Sequence, residues 1–111
     1  MKVYDRAYEL AEALRQSQEV IDLRAAWAAV EAQQEAKQLL AELRSRQEAV
    51  QQRIMAGEEP SEQELNQMEE RYESVSQNPL IEQLFEAERR FAVIFDDVNK
   101  IMNDALKGIY E

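Results

Sequence analysis

The side chains able to do chemistry in this 111-residue chain are almost all carboxylates: 23 Asp and Glu stand against 13 Lys and Arg, with no His and no Cys. Without His or Cys, the common general base and the common activated nucleophiles are missing. The serines offer little. Ser17 and Ser61 read as helix caps, and Ser45, Ser74 and Ser76 fall on or near polar helix faces. A serine hydrolase here would need a lysine base, and no apolar pocket beside a lysine can be read from the pattern. The carboxylates themselves raise metal binding. A di-iron bundle needs Glu-x-x-His motifs facing inward, and there is no histidine. Asp96, Asp97 and Asp104 are conceivable as an all-oxygen Mg²⁺ site, but their face also carries Lys100 and Lys107, as an ordinary solvated helix face does. EF-hand and glycine-rich phosphate loops do not occur. The residues therefore indicate no catalytic group, no cofactor and no metal, and the chain reads as a non-enzyme.

The elements that carry these residues are helices. Ala, Glu, Leu, Arg, Lys and Gln dominate, Gly and Pro occur twice each, and Thr is absent. Unbranched side chains lose little rotamer freedom in a helix, so this composition belongs to long helices or coiled coils. The expected fold is all-α: an elongated antiparallel bundle of four to five helices, with a long C-terminal helix, dimerising through an apolar seam. The length fits a single domain, residues 1–111.

Spacing and punctuation place the helices. The first opens near Val3 and runs to about Gln16, with Tyr4, Ala7, Ala11 and Leu14 on one face. Ser17 is a candidate N-cap for the next, and Glu19 suits its positive end. The second stripe is Val20, Leu23, Trp27 and Val30; the third, Ala36, Leu40, Leu43, Gln47, Val50 and Ile54, is out of phase with it. A slip of one residue must be absorbed between Glu31 and Lys37, and a break or kink is expected there. Gly57 suits the left-handed residue after a helix. Ser61 and Glu64 form a capping box opening a helix striped by Leu65, Met68, Tyr72 and Val75. Asn78-Pro79 supplies a cap and a first helical residue.

The last helix is the most regular. Ile81, Leu84, Phe91, Phe95, Val98, Met102, Ala105 and Ile109 keep the three-four alternation, interrupted by Glu88 and widened by Phe85, Ile94, Ile101 and Leu106. Running to Lys107, where Gly108 can end it, it would span about 29 residues or ~43 Å at 1.5 Å per residue. A compact globule of this size has a radius of gyration of only ~13 Å, so the far part of the stripe needs a cover. A second copy supplies one, because a self-complementary patch covers both chains at once. The core and interface candidates are Trp27, Leu40, Leu43, Tyr72, Ile81, Leu84, Glu88, Phe91, Phe95, Val98 and Met102. Trp27 is the largest of them and reads as a core anchor ahead of an interface hot spot. Glu88 either fixes register in the seam or lies where the seam opens to water. Arg89 and Arg90 are the only adjacent basic pair, with Glu86 the expected partner.

Charge and hydropathy narrow the surroundings. A formal charge of −10 disfavours direct nucleic-acid binding, the anionic cytoplasmic leaflet and an acidic partner surface, and leaves room for a basic protein partner. The N-terminus, Met1 to Leu10, lacks the apolar run of a signal peptide. The longest apolar stretch, Ala25 to Val30, is far short of the ~20 residues needed to span a bilayer. With no disulfide framework, a cytoplasmic location is expected.

The ordered blocks Ala11-x-x-Leu14-Arg15-x-Ser17, Glu35-Ala36-Lys37-x-Leu39-Leu40, Met55-Ala56-Gly57-Glu58-Glu59-Pro60-Ser61, Asn78-Pro79-x-Ile81, Ala87-Glu88-x-Arg90-Phe91 and Val98-Asn99-x-Ile101 resemble the YheA/YlbF/YmcA family of small bacterial proteins, nearest its YheA branch, over essentially the whole chain. The resemblance implies an antiparallel helical bundle that dimerises in the cytoplasm of Gram-positive bacteria. It further implies an adaptor of the kind that acts with a membrane-tethered endoribonuclease in mRNA processing and influences competence, sporulation and biofilm formation. Cysteines associated with iron–sulfur clusters in other branches have no counterpart here, so no cluster is implied. Where an acidic residue is expected before Glu35-Ala36-Lys37, this chain has Gln34. The expected function is a homodimeric helical adaptor or regulator with unidentified protein partners. The alternatives are an acidic chaperone or inhibitor of a basic protein, whose complexes would dissociate steeply with salt, and a metal-dependent enzyme, which calorimetry with Mg²⁺, Mn²⁺ and Ca²⁺ would expose.

Overall fold

A computed structural model describes residues 2–109, which form five α-helices and, among the described residues, no strand. These are α1 (Lys2–Gln16), α2 (Gln18–Glu31), α3 (Gln34–Met55), α4 (Glu62–Ser76) and α5 (Pro79–Ala105). The chain is an all-helical bundle, and each junction is set by local chemistry.

Between α1 and α2 a single residue intervenes. The Ser17 hydroxyl donates to the Leu14 carbonyl at 2.6 Å and accepts the Val20 amide at 3.3 Å, so it caps one helix end and the next start. The phase slip between the second and third stripes resolves as a break. Helix α2 stops at Glu31, and Gln33 takes extended angles (φ −113°, ψ 114°) before α3 begins. Gln33 makes no side-chain cap bond. Its carbonyl accepts the Lys37 amide at 2.9 Å, and Lys37 pairs with Glu31 across the break at 3.4 Å.

Helix α3 ends in a Schellman motif. The Glu58 amide reaches the Arg53 carbonyl at 2.9 Å and the Gly57 amide reaches the Ile54 carbonyl at 3.0 Å. Gly57 has φ +92°, the left-handed conformation that glycine adopts without a Cβ penalty. The capping box then starts α4: the Glu64 amide donates to Ser61 Oγ at 3.1 Å, and the Ser61 amide to Glu64 Oε1 at 3.4 Å. Asn78 Oδ1 accepts the Leu80 amide at 3.0 Å and caps α5, with Pro79 first in the helix. At its far end α5 stops at Ala105, two residues before Lys107. The Leu106 and Lys107 amides bond three residues back, to Asn103 and Asp104, tightening the last turn ahead of Gly108 at φ +95°.

The described chain divides into two compact units. Residues 26–85 form one; residues up to 25 together with those from 86 onward form the other. In the first of these, α3 packs on α4. Arg53 near the end of α3 bonds Glu64 near the start of α4, while residues 39–46 line a shared notch with residues 71–75. The two helices are therefore antiparallel. The core of this unit is Val30, Ala36, Leu40, Leu43, Ile81, Leu84 and Phe85, all buried. Phe85 lies under the Arg44 guanidinium (5.4 Å to the ring centre) and stacks on Tyr72 with centroids 5.0 Å apart and planes 5° from parallel. A cation over one ring face and a parallel ring contact hold α3, α4 and the first turns of α5 together.

Candidate interaction surface

The unit formed by α1, the first part of α2 and the distal part of α5 is built differently. Not one residue of α1 is buried, although Tyr4, Ala7, Ala11 and Leu14 share a face. Val3, Tyr4 and Tyr8 are well exposed, Tyr8 at 76%. On distal α5, Phe91 and Val98 are half-buried, while Phe95, Ile101, Met102 and Leu106 are exposed, Ile101 at 69%. Phe91 and Phe95 touch in a tilted ring contact at 5.8 Å. The apolar seam read from the sequence thus changes environment along α5. Ile81 and Leu84 are completely enclosed, whereas Phe95 and Met102 at the same spacing are about half exposed. A water-soluble helix normally turns such residues inward, and a contiguous exposed apolar face marks an interaction site.

The structure brings Leu40, Leu43, Ile81 and Leu84 together as core, with Tyr72 on its rim through Phe85. Trp27 does not take the within-chain core position expected for it. It is 45% exposed, and the buried residue of α2 is Val30, one turn further on. Glu88 is half-buried. No ion pair joins Glu86 to Arg89 or Arg90 among the described residues. Asp96, Asp97 and Asp104 are exposed, and no cluster of three or more acidic groups suited to a metal occurs among the described residues. No described helix is long and apolar enough to cross a membrane.

Sequence reading passed over Arg53. Its guanidinium donates to Glu64 through two nitrogens and to Glu58 at 3.1 Å, clamping the α3–α4 turn. These bonds, Glu64 first, stabilise the charged guanidinium and raise its pKa. The bond from Arg53, seconded by the Ser61 amide, holds the Glu64 carboxyl below the usual carboxylate range. A signal existed: Arg53 and Glu64 lie on either side of a Gly–Pro turn, at positions an antiparallel hairpin places opposite each other.

Five helices, no strand among the described residues and an exposed apolar stretch on distal α5 define the class, that of small all-α bundle proteins. The family described as control of competence regulator ComK, YlbF/YmcA, matches residues 3–107. The chain is 39% identical over 108 residues to a UPF0342 protein of Alkalihalophilus pseudofirmus, covering 97% of this chain and 92% of that one. It is 41% identical over 107 residues to a UPF0342 protein of Shouchella clausii, covering 96% and 91%. A solved protein of unknown function (DUF964) from Bacillus stearothermophilus superposes with a TM-score of 0.90 at 21% identity, covering 100% of this chain and 97% of that one; at that identity the likeness concerns the fold. The chain belongs to the YlbF/YmcA family, and with it to a group of bacterial regulatory helical proteins.

Proposed function

We propose that this protein is a non-enzymatic homodimeric adaptor, of the YheA branch of its family, acting in the cytoplasm in RNA processing or in the control of competence, sporulation or biofilm formation. The observation that carries the reading is α1, a helix of 15 residues without one buried residue. Isolated helices of about this length are marginal in water, so α1 needs a surface to hold it. The exposed distal face of α5 has the same need. A second copy covers α1 and distal α5 together, and a symmetric contact repeats each burial. Phe91, Phe95, Val98 and Met102 are the interface residues of this reading; Trp27, in the other unit, is by its exposed indole a separate hot-spot candidate. An adaptor then works by presenting surface, which is consistent with a chain that has neither His nor Cys.

Light scattering after size exclusion tests the assembly: twice the chain mass at micromolar concentration is expected, and a clean monomer overturns it. Deletion in the native bacterium tests the role. Altered half-lives of specific transcripts are expected, restored by the wild-type chain and not by a monomeric variant such as Phe95→Glu. Transcript processing and development that are unchanged on deletion would remove the regulatory reading.

A further inference from the structure

The α3–α4 hairpin carries a notch whose chemistry differs from the rest of this acidic molecule. Leu39, Leu43 and Val75 line its floor, and Arg46 from α3 and Arg71 from α4 stand at its mouth together with Glu42 and Ser74. Leu43 is buried and Leu39 and Val75 are half-buried, while both arginines are exposed and have no ion pair or hydrogen bond among the described residues. Glu42 lies one turn from Arg46 on α3 without pairing to it, so the mouth keeps a positive excess of one charge from two arginines and one carboxylate.

We propose that this notch is a docking site for an acidic segment of a partner protein, taking one aliphatic side chain into the pocket and that segment's carboxylates onto Arg46 and Arg71. Size selects the occupant. The cavity holds about 150 Å³, whereas sites that enclose a whole small ligand run to roughly 300–1,000 Å³. A space of ~150 Å³ accommodates something like one benzene, the bulk of a single side chain. Charge selects its neighbours. A guanidinium presents a planar fork of donors that fits a carboxylate through two parallel bonds, and two guanidinium groups on facing helices can grip carboxylates on both sides of an inserted leucine. The net charge of −10 disfavours an acidic partner over the surface as a whole. At physiological ionic strength, however, exposed charges beyond ~8 Å are largely screened, so the groups at the mouth decide the local contact.

The notch lies entirely on α3 and α4 and goes beyond the adaptor reading. It relies on that reading only for the existence of a partner, and the two fail separately: a monomer by light scattering would leave the notch intact, and an empty notch would leave the dimer intact. The test is amide-shift mapping of the ¹⁵N-labelled full chain with a synthetic probe peptide, acetyl-Gly-Glu-Glu-Leu-Glu-Glu-Gly-amide. Saturable shifts confined to residues 39–46 and 71–75 are expected. Replacing the peptide's leucine by alanine, or combining Arg46→Gln with Arg71→Gln, should weaken binding about tenfold, and added salt should weaken it further. Because both arginines are exposed, these variants should keep the wild-type helical spectrum. The proposal is overturned if the lysine counterpart of the peptide binds equally, if the shifts fall elsewhere, or if the double variant binds unchanged. It is also overturned if isovalerate alone reproduces the shifts at the same concentration, which makes the ligand a free acid. Concentration-dependent shifts at these amides without peptide, which make the occupant a second copy, would overturn it as well.

Discussion

At the residue scale, the Arg53–Glu64–Ser61 arrangement shows how a few surface groups can set a helix junction. Glu64 accepts from the Ser61 amide to complete the capping box and from the Arg53 guanidinium to tie α4 to the end of α3. Both bonds favour the ionised carboxylate, and its pKa is lowered. A group whose folded pKa lies below its unfolded value, ordinarily about 4.3 for Glu, adds stability above that value. The contribution is lost as pH falls through the folded pKa. The wild type should therefore exceed Glu64→Gln in thermal stability at neutral pH, with the gap closing as pH drops below about 4. Melting both proteins across pH 2.5 to 7 (roughly the span of a carboxylate titration) checks this, and a constant gap would contradict it. Glu64 is partly exposed, so salt should narrow the gap also.

At the element scale, the helix limits were largely legible in the sequence, because they rest on contacts within a few residues. Ser17, Gly57, Ser61 and Asn78 each act at the junction their type suggests, and the Schellman motif forms at the only internal glycine between helices α3 and α4. The break at Ala32–Gln33 could be inferred only as a phase slip, since no strong cap residue stands there. Nothing lies within 4 Å of a Cβ added at Gly57, so Gly57→Ala isolates backbone strain from packing. A loss of ~1 kcal/mol is expected, seen as a lowered urea midpoint with an unchanged slope. A variant as stable as the wild type would mean the turn relaxes to another conformation.

At the scale of the whole molecule, two kinds of apolar side chain share one helix. Leu84 is enclosed within its unit, and Phe95 is 50% exposed. Leu84→Ala should cost about 2–5 kcal/mol while keeping the rise of melting temperature with protein concentration that the proposed dimer brings. Phe95→Glu should barely affect a lone chain. In the proposed dimer it buries a charge at the seam, so it should convert dimer to monomer and remove the rise of melting temperature with concentration that association brings. If Phe95→Glu remains dimeric, the distal α5 face is not the contact.

Helix content, caps, the broken phase after Val30 and the absence of His and Cys follow from the sequence by itself. Each depends on residue type or on spacing within one or two turns, where backbone hydrogen bonding and side-chain periodicity act locally. Tertiary structure alone decided which parts of a uniform stripe are enclosed. Ile81 and Phe95 lie two heptads apart at equivalent seam positions, yet Ile81 is fully enclosed and Phe95 is half exposed. The same holds for Arg46 and Arg71, unremarkable in the sequence because they lie on different helices, and joined at one notch only because the hairpin folds antiparallel. Burial and convergence depend on residues distant along the chain, and periodicity records which face of a helix is apolar but not what will cover it.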